Sequence, residues 1–475
     1  MFMFKKFFLF LVCSILLVFV EISYSAPEPL VNIGDIGLAN KHQNPSFVQE
    51  GKIFLVTESN QLYRVDQNAS STTKWTQIGI SPSKVVQSGF VVPSSDGTTI
   101  FIECQEIDRK EQLYKIPADA ASTTEWTQVG RRPSGLYDIN SVVLSPDGKT
   151  VFMESNGGNG PFINEMYKVS ADAKSTIAWT QIGMRPSGVE YIYDSALSPD
   201  GNTIFISSTE ADFKNQMYKV SANAKSTTAW TQIGTRPEGV DRIESFVLSP
   251  DGNTVFIRGN DATRLTSQIY KVPADAKSTI AWTQIGTRPK EVVLINDSAL
   301  SPDGNTIFIS STEADFNNQM YKVLVNAKST ISWTQVGEHP SVVDKIKSFV
   351  LSPDRKTIFM ACNDIDDKDQ MYKVLTDAKS TTSWTQVGTR SSAVGYINYF
   401  DLSPNGNTVF MACHLDPIYT DQMYKVSANA STKDDWIQVG TYPEGIKQIY
   451  YFFLSPDGNM VINNLFKTHG IPVSG

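Results

Sequence analysis

The chain has 475 residues, of which 41% are hydrophobic and 19% charged, and its formal net charge is -8. Because nucleic acid is itself strongly acidic, a chain of this charge is not expected to bind it. Four cysteines in a chain of this length are too few for a disulfide framework.

The first 25 residues have the composition of a signal peptide. Two lysines precede an apolar stretch at residues 7–20, and the small residues Ser23 and Ser25 follow it. Because a membrane span needs about 18 apolar residues or more, we expect cleavage after Ser25 and a secreted or periplasmic protein of net charge -9. A lipoprotein would need a Cys after the apolar stretch, whereas Cys13 lies inside it. No later stretch is apolar enough to span a membrane.

Residues 26–475 are expected to form a single domain of repeats 51 to 53 residues long. The eight tryptophans recur at this interval, mostly in the string W-T-Q-[IV]-G, at Trp75, Trp126, Trp179, Trp230, Trp282, Trp333, Trp384 and Trp436. Strings similar to Q-M-Y-K-V and to L-S-P-D-G-N-T-[IV]-F keep the same interval. A regular period of this size indicates a repeat architecture.

Each repeat predicts four antiparallel strands, which we name a, b, c and d. Strand a ends at L-S, strand b is T-I-F-I-S, strand c is Q-M-Y-K-V and strand d is W-T-Q-I-G. Their β-branched and aromatic residues favour strands, and P-D-G between a and b is typical of a tight turn. Four-stranded units of this length without helices predict an all-β β-propeller.

The two ends of the chain predict how the ring closes. Residues 30–34 resemble strand d, residues 453–463 supply strands a and b, and residues 471–474 stand where strand c is expected. An N-terminal d strand that joins C-terminal a, b and c strands would complete one blade and remove its exposed edges. With eight whole repeats this closure predicts nine blades. An eight-bladed ring with an incomplete terminal repeat is the alternative.

The string L-S-P-D-G-N-T-I-F resembles the WD-like repeats of TolB-type and YVTN-type bacterial propellers, and the likeness covers nearly all of residues 26–475. The succession of Y-K-V, a linker and W-T-Q-I-G also looks like the blades of tectonin-type propeller lectins, whose units are shorter. TolB-type proteins are periplasmic binding scaffolds and tectonins bind glycans. Both resemblances therefore imply recognition of a ligand.

Three recurrent residue types have a structural explanation. The Trp of each repeat is expected to pack between blades rather than to stack on sugars. The Asp of S-P-D-G is expected to form its turn, because one carboxylate per turn falls short of the six to eight oxygens that calcium prefers. Cys104, Cys362 and Cys413 share one repeat position and are expected in the core. We therefore predict no bound metal and no cofactor.

A metal site formed by histidines is the alternative to this prediction. His42, His339, His414 and His469 are placed in connecting loops, and three of them, all except His339, would lie near the closing seam. No serine-hydrolase, zinc-protease or phosphate-binding motif occurs in the sequence. A binding protein is therefore favoured over an enzyme, and a hydrolase or lyase with scattered active-site residues is the alternative.

The candidate binding site lies where the repeats differ. In seven repeats an Ile eight residues before the turn is expected to face the core, so its two neighbours should face the central channel. These neighbours are Asp138 and Asn140, Tyr191 and Tyr193, Arg242 and Glu244, Leu294 and Asn296, Lys345 and Lys347, Tyr396 and Asn398, and Gln448 and Tyr450. The b–c loops, at the same end, vary as well. Drift in a wet channel would explain this variation, and the functional interpretation is a funnel that binds a protein, peptide or glycan. The protein is expected to be a monomer.

Overall fold

The computed structural model describes residues 51–57, 61–157, 164–261, 267–416, 418–442 and 447–454. In these ranges the regular structure is entirely β-strand, arranged as eight four-stranded antiparallel sheets. The all-β propeller predicted from the repeat is therefore confirmed. Nowhere in the described ranges is there an apolar helix of membrane-spanning length.

The strands are numbered β1 to β32 in chain order. The first three are β1 (Lys52–Thr57), β2 (Leu62–Asp66) and β3 (Thr76–Ile78). Blade 1 has β4 (Val85–Pro93), β5 (Thr99–Glu106), β6 (Glu111–Pro117) and β7 (Thr127–Gln128). Blade 2 has β8 (Leu136–Leu144), β9 (Thr150–Gly157), β10 (Asn164–Ser170) and β11 (Thr180–Gln181). Blade 3 has β12 (Val189–Leu197), β13 (Thr203–Glu210), β14 (Asn215–Ser221) and β15 (Thr231–Gln232). Blade 4 has β16 (Arg242–Leu248), β17 (Thr254–Asn260), β18 (Ser267–Pro273) and β19 (Thr283–Gln284).

The remaining blades follow the same order. Blade 5 has β20 (Val292–Leu300), β21 (Thr306–Glu313), β22 (Asn318–Leu324) and β23 (Thr334–Gln335). Blade 6 has β24 (Val343–Leu351), β25 (Thr357–Asp364), β26 (Asp369–Leu375) and β27 (Thr385–Gln386). Blade 7 has β28 (Val394–Leu402), β29 (Thr408–Leu415), β30 (Thr420–Ser427) and β31 (Ile437–Gln438). The last strand is β32 (Ile449–Leu454).

Each of the seven continuous blades keeps the predicted order a, b, c, d. Strand d is shorter than its sequence string, since only Thr and Gln of W-T-Q-[IV]-G are paired in most blades. The Trp precedes this strand because its backbone is hydrogen-bonded to the neighbouring blade instead.

The antiparallel order of the strands places the a–b turns and c–d loops at one end of the ring. The b–c loops lie at the other end, together with the d-to-a crossovers.

The ring closes at eight blades, so the prediction of nine is wrong and the eight-bladed alternative is correct. Strand β32 pairs with β1, and β1 continues through β2 to β3. The closing blade therefore takes strand a from the C-terminal part of the chain and strands b, c and d from the N-terminal part. Since β32 occupies the free edge of β1, no further blade is needed to remove that edge. Residues 30–34, 455–463 and 471–474, which the ninth blade would require, lie outside the described residues.

The tryptophans join neighbouring blades, as predicted. All eight are 4 to 5% exposed. In blade 2, the backbone N–H of Trp179 donates to the Arg131 carbonyl and its indole N–H donates to the Val129 carbonyl, both in the segment after strand d of blade 1. Gly130, with φ of +63°, lies between these two acceptors, and a Cβ there would stand 2.8 Å from the Trp179 ring. The Gly of W-T-Q-[IV]-G is therefore needed for the close approach of the next tryptophan.

The Lys of Y-K-V supplies a second link between blades. Lys168 Nζ of blade 2 donates to the Ala222 carbonyl in the c–d loop of blade 3 at 2.8 Å, and Lys219 repeats this contact with Ala274 one blade later. Lys425 closes the series by donating to the Gln67 carbonyl of the closing blade. The sequence pattern alone gives this residue no role, although it is Lys in seven repeats and Arg64 in the closing blade.

The Asp of S-P-D-G shapes the a–b turn. Asp200 Oδ1 accepts from Ser198 Oγ at 2.6 Å and from the Asn202 backbone N–H at 3.0 Å. These hydrogen bonds, that of Ser198 first, lower the pKa of Asp200. In blade 7 the amide oxygen of Asn405 accepts the same two kinds of hydrogen bond. A negative charge is therefore not required at this position.

We expect Asp200→Asn to change the free energy of unfolding by less than about 1 kcal/mol, because the amide oxygen keeps both hydrogen bonds. Asp200→Ala, which loses both, should cost more. Urea unfolding of the two variants, with and without a calcium chelator, measures this difference. A chelator-dependent loss of stability in the wild-type protein that Asp200→Asn abolishes would contradict the turn assignment.

The three cysteines of the described chain occupy the core. Cys104, Cys362 and Cys413 are 0% exposed and carry free thiols. Burial raises the pKa of each thiol well above its usual range. Their interpretation as small core residues is therefore supported by their full burial in strand b.

Candidate functional site

Strand a is the innermost strand of each blade, and its exposed side chains line the central channel. The predicted core isoleucines are all at most 7% exposed: Ile139, Ile192, Ile243, Ile295, Ile346, Ile397 and Ile449. None of their neighbours whose side chains are described is buried. The period-2 alternation used in the sequence analysis therefore holds around this isoleucine.

A β-bulge follows the core Ile in six blades. In blade 3, Ile192 pairs with Ser208 and Asp194 pairs with Ser207, so that the register between strands a and b passes over Tyr193. The same irregularity leaves out Asn140, Glu244, Asn296, Lys347 and Asn398 in blades 2, 4, 5, 6 and 7. Bulges redirect side chains and often lie beside functional sites. The bulged residue is Asn in three of these blades and Tyr, Glu or Lys in the other three, and in each blade it is turned out of the regular ladder.

One group of the predicted residues is bound to polar groups of the same blade. Asn140 donates to Glu154 at 3.0 Å, Glu244 accepts from Asn260 at 2.8 Å, and Asn296 donates to Asn318 at 2.7 Å. Lys347 donates to Asp369 at 2.6 Å. The wall of the channel therefore has a second polar layer, formed by strands b and c, that holds these side chains.

A second group is open to solvent. Tyr193 and Tyr396 are 44% and 39% exposed. Lys345, Asn398 and Gln448 are also exposed, whereas Asp138, Tyr191, Arg242 and Leu294 are half-buried. Tyr450 lies in β32, and its side chain is outside the described part. The exposed group is concentrated in blades 3, 6 and 7 and at the entry to the closing blade.

Blades 6 and 7 hold a connected polar cluster in the channel wall, which we name the Tyr396 cluster. It consists of Lys347, Asp369, Tyr396, His414 and Asp421. The ring of His414 stacks on that of Tyr396, with centroids 4.8 Å apart and planes 1° apart. Lys347 Nζ lies 5.7 Å from the centroid of the same Tyr396 ring. An exposed phenol ring thus has an imidazole ring and an ammonium group beside it.

Two buried carboxylates fix these basic groups. Asp369, which is 0% exposed, accepts from Lys347 Nζ, and Asp421 lies 2.9 Å from His414 Nδ1. Each carboxylate also accepts a backbone N–H of the next blade, from Ile397 at 2.6 Å and from Ile449 at 2.8 Å. These charged hydrogen bonds connect the cluster to the backbone of the core isoleucines and join each blade to the next. The cluster is therefore preorganised.

Blade 2 contains a different buried acid in the second layer. Glu154 Oε1 accepts from Asn140 at 3.0 Å and from Asn164 at 2.6 Å. Burial raises the pKa of Glu154 to about 7, although both hydrogen bonds act to lower it. In blade 1 the equivalent carboxylate, Glu103, fills the space that a Cβ at Gly89 would occupy. Blade 1 thus has a Gly in the channel wall because the layer behind it carries a Glu.

Several residues of this site are not predicted by the sequence pattern. His414 is expected in a loop, but it lies in strand β29, because strand b extends past Cys413 to pair with β30. His42 and His469 lie outside the described residues, and in the described part no group of three or more His, Cys, Asp or Glu side chains could hold a metal ion. The sequence does contain a pattern that could have identified Asp369 and Asp421 as residues of the site. The position before Q-M-Y-K-V, which they occupy, varies among Asn, Asp, Glu and Ser.

A groove of about 920 Å³ lies at the opposite end of the ring, between blades 3 and 4. Its lining includes Asp200, Lys219, Asp251 and Asp275 from the S-P-D-G turns, strand c and a c–d loop. Most of these residue types recur in every repeat, in contrast to the residues of the channel. The groove is therefore a consequence of the repeated scaffold.

No protein-family model matches the sequence, and no curated protein matches it either. Solved structures do. Prolyl oligopeptidase B from Galerina marginata has a TM-score of 0.50 at 10% identity, over 77% of this chain and 52% of that chain. A eukaryotic initiation factor has a TM-score of 0.47 at 11% identity, over 86% and 99% of the two chains. A TolB-type protein from Agrobacterium tumefaciens has a TM-score of 0.35 at 14% identity, over 59% and 87%.

This chain spans about half the length of the oligopeptidase. At such low identities the likeness extends to the fold and not to the site. The chain is an eight-bladed β-propeller.

Proposed function

We propose that this protein is a secreted or periplasmic binding protein, of the TolB-like kind, that recognises a protein, peptide or glycan at the b–c end of its central channel. One observation carries the proposal. The pair of residues that flanks the core Ile differs from blade to blade, although the Ile is buried in seven blades and the chain otherwise repeats itself. The folding of the ring requires the isoleucines and not the variety beside them.

The chemistry of the exposed group supports recognition of a neutral or mixed surface. Tyr193 and Tyr396 offer flat amphipathic rings that lose little side-chain entropy on binding. Lys345 and the half-buried Arg242 add cations, and Asn398 and Gln448 add amides that can donate and accept. A peptide segment or a sugar, each with apolar faces and many hydrogen-bonding groups, fits this combination. A lectin of the tectonin type is the glycan form of the proposal.

We expect Tyr193→Ala and Tyr396→Ala each to raise the Kd of the ligand about tenfold or more, because a few anchors dominate most interfaces. Glycan and peptide arrays probed with the purified protein would supply the ligand, and titration calorimetry would measure the Kd. Neither change should alter the melting temperature much, since both rings are well exposed.

Lys174→Ala and Lys225→Ala are the matched controls, since both lysines are exposed in c–d loops of the opposite end. They should bind as the wild type does. If they weaken binding while the tyrosine variants bind normally, the ligand belongs at the end that carries the groove between blades 3 and 4. Drift would then explain the variation of the channel.

A hydrolase or lyase is the second candidate, because His414 is held by the buried Asp421 through Nδ1. A buried carboxylate that orients an imidazole is the arrangement of many general bases. Turnover of any glycan or peptide that the arrays identify, abolished by His414→Gln, would favour this candidate. Binding without turnover would favour the scaffold.

A further inference from the structure

Large apolar side chains are exposed at the tips of the b–c hairpins, around the mouth of the funnel. Phe213 and Phe316, at equivalent tips of blades 3 and 5, are 74% and 82% exposed. Tyr419 of blade 7 is 68% exposed. Ile107, Ile365 and Ile418 are exposed at the tips of blades 1, 6 and 7. Apolar surface left in water contributes nothing to the folding of the chain.

The backbone under the three aromatic residues is in the left-handed region, with φ of 63° at Phe213, 67° at Phe316 and 52° at Tyr419. This conformation is unfavourable for any residue with a Cβ, and bulky residues adopt it rarely. The a–b turns at the other end use Gly for such positions in six of the seven continuous blades, as at Gly201 with φ of 73°, and Arg355 in blade 6. Gly or Asn would serve these hairpins better, so folding does not explain the aromatic side chains.

The same tips are acidic. The segments 106–110, 210–214, 313–317, 364–368 and 415–419 contain ten carboxylates and four basic side chains. Several of the carboxylates are exposed beside the apolar residues, including Asp212 next to Phe213 and Asp315 next to Phe316. The tips therefore present apolar groups within a negative field.

We propose that these tips form a docking rim for a protein segment in which Lys or Arg alternates with large apolar side chains. The proposal rests on the proposed function and specifies its ligand: the segment meets the rim before its end enters the funnel. Apolar contacts would supply affinity and the carboxylates would select basic partners. An anionic membrane or a second copy of this acidic chain would be repelled by the same charge.

The opposite end of the ring provides a matched comparison. Ile177, Ile280 and Ile331 are exposed in the c–d loops, at 54%, 48% and 54%. None of them has a left-handed backbone. They follow the sequence A-K-S-T, at a position where most other repeats carry Thr. These isoleucines therefore serve as the control for simple apolar exposure.

The experiment uses three fluorescent peptides, which are titrated with the mature protein in an anisotropy assay. In the first Lys alternates with Phe, in the second Glu alternates with Phe, and in the third Lys alternates with Gly. The Lys–Phe peptide should bind tightest, and more weakly at high salt. The double change Phe213→Asn with Phe316→Asn should raise its Kd about tenfold or more without lowering the melting temperature. Asn suits the left-handed region, so loss of binding cannot be attributed to unfolding. Ile177→Asn with Ile331→Asn should bind as the wild type.

Three results would contradict the proposed docking rim. The Lys–Phe peptide could fail to bind the wild-type protein, or the Phe213 and Phe316 double variant could bind it as tightly as the wild type does. The wild type could also bind the Glu–Phe peptide as tightly as the Lys–Phe peptide. Binding to phosphatidylcholine vesicles that the double change abolishes, without preference for Lys–Phe, would assign the rim to a membrane. The Tyr193 and Tyr396 variants, tested on the ligand found by the arrays, report on the funnel separately. The rim can therefore fail while the proposed function stands.

Discussion

Trp179→Ala should lower the free energy of unfolding by about 3 to 5 kcal/mol, the usual cost of removing a large aromatic side chain from a core. The Trp179 ring is 4% exposed and packs on the core cluster that joins blades 1 and 2. Its loss opens a cavity and leaves the Val129 carbonyl without its indole donor. Urea unfolding followed by tyrosine and tryptophan fluorescence measures the change.

Two further variants separate packing from hydrogen bonding. Trp179→Phe removes the indole N–H together with the five-membered ring, so it should cost about 1 kcal/mol through the hydrogen bond in addition to the cost of a small cavity, which a Phe at any of the tryptophan positions shares. The indole nitrogen of Trp126 is buried and has no hydrogen-bond partner in the described part of the chain. Trp126→Phe should therefore cost less than Trp179→Phe.

The control for this series is Ile177→Ala, two residues before Trp179 and 54% exposed, which should change stability by less than about 0.5 kcal/mol. If Trp179→Ala unfolds at the urea concentration of the wild type, the tryptophans do not join the blades. They would then have to be considered again as platforms for a ligand.

The architecture is predictable because every repeat carries the same local signals. A Trp, a Tyr and a tight turn at one interval fix the strand order of a blade, and each of them makes the same contacts in blade after blade. The number of blades is not predictable in this way. Residues 30–34 and 471–474 look like strands, but pairing of β32 with β1 depends on which two edges meet in space. Local patterns carry no information on that choice.

The sequence predicts the part of the site that lies on strand a, and it does not predict the polar layer behind it on strands b and c. Burial of Ile192 and its six counterparts follows from alternation, and so does the exposure of Tyr193 and Tyr396. Alternation does not predict a bulge. Lys347 is therefore expected in the open channel, whereas in the structure it lies in the bulge and donates a hydrogen bond to Asp369. The contact of His414 with Tyr396 depends on the length of strand b, which the sequence pattern leaves uncertain by one or two residues.

The second large effect is expected on the pH dependence of stability, and it concerns Glu154. Burial raises the pKa of this carboxyl from its ordinary value to about 7 in the folded protein. Between the unfolded and folded pKa values the native state binds the extra proton, so stability falls as pH rises through this window. Above about pH 7 the carboxyl is ionised in both states and the whole penalty, about 3 kcal/mol, is present.

Glu154→Gln should remove this penalty, because the amide oxygen can still accept from Asn140 and Asn164 and no charge is buried. The variant should be about as stable as the wild type near pH 4 and more stable, by up to about 3 kcal/mol, near pH 8. Glu125→Gln, which makes the same change of net charge at an exposed position, should give no such divergence. Urea unfolding at a series of pH values compares the three proteins. If Glu154→Gln is less stable than the wild type near pH 8, Glu154 is ionised and paired in the folded ring, and the blade 2 wall carries a fixed negative charge toward the channel.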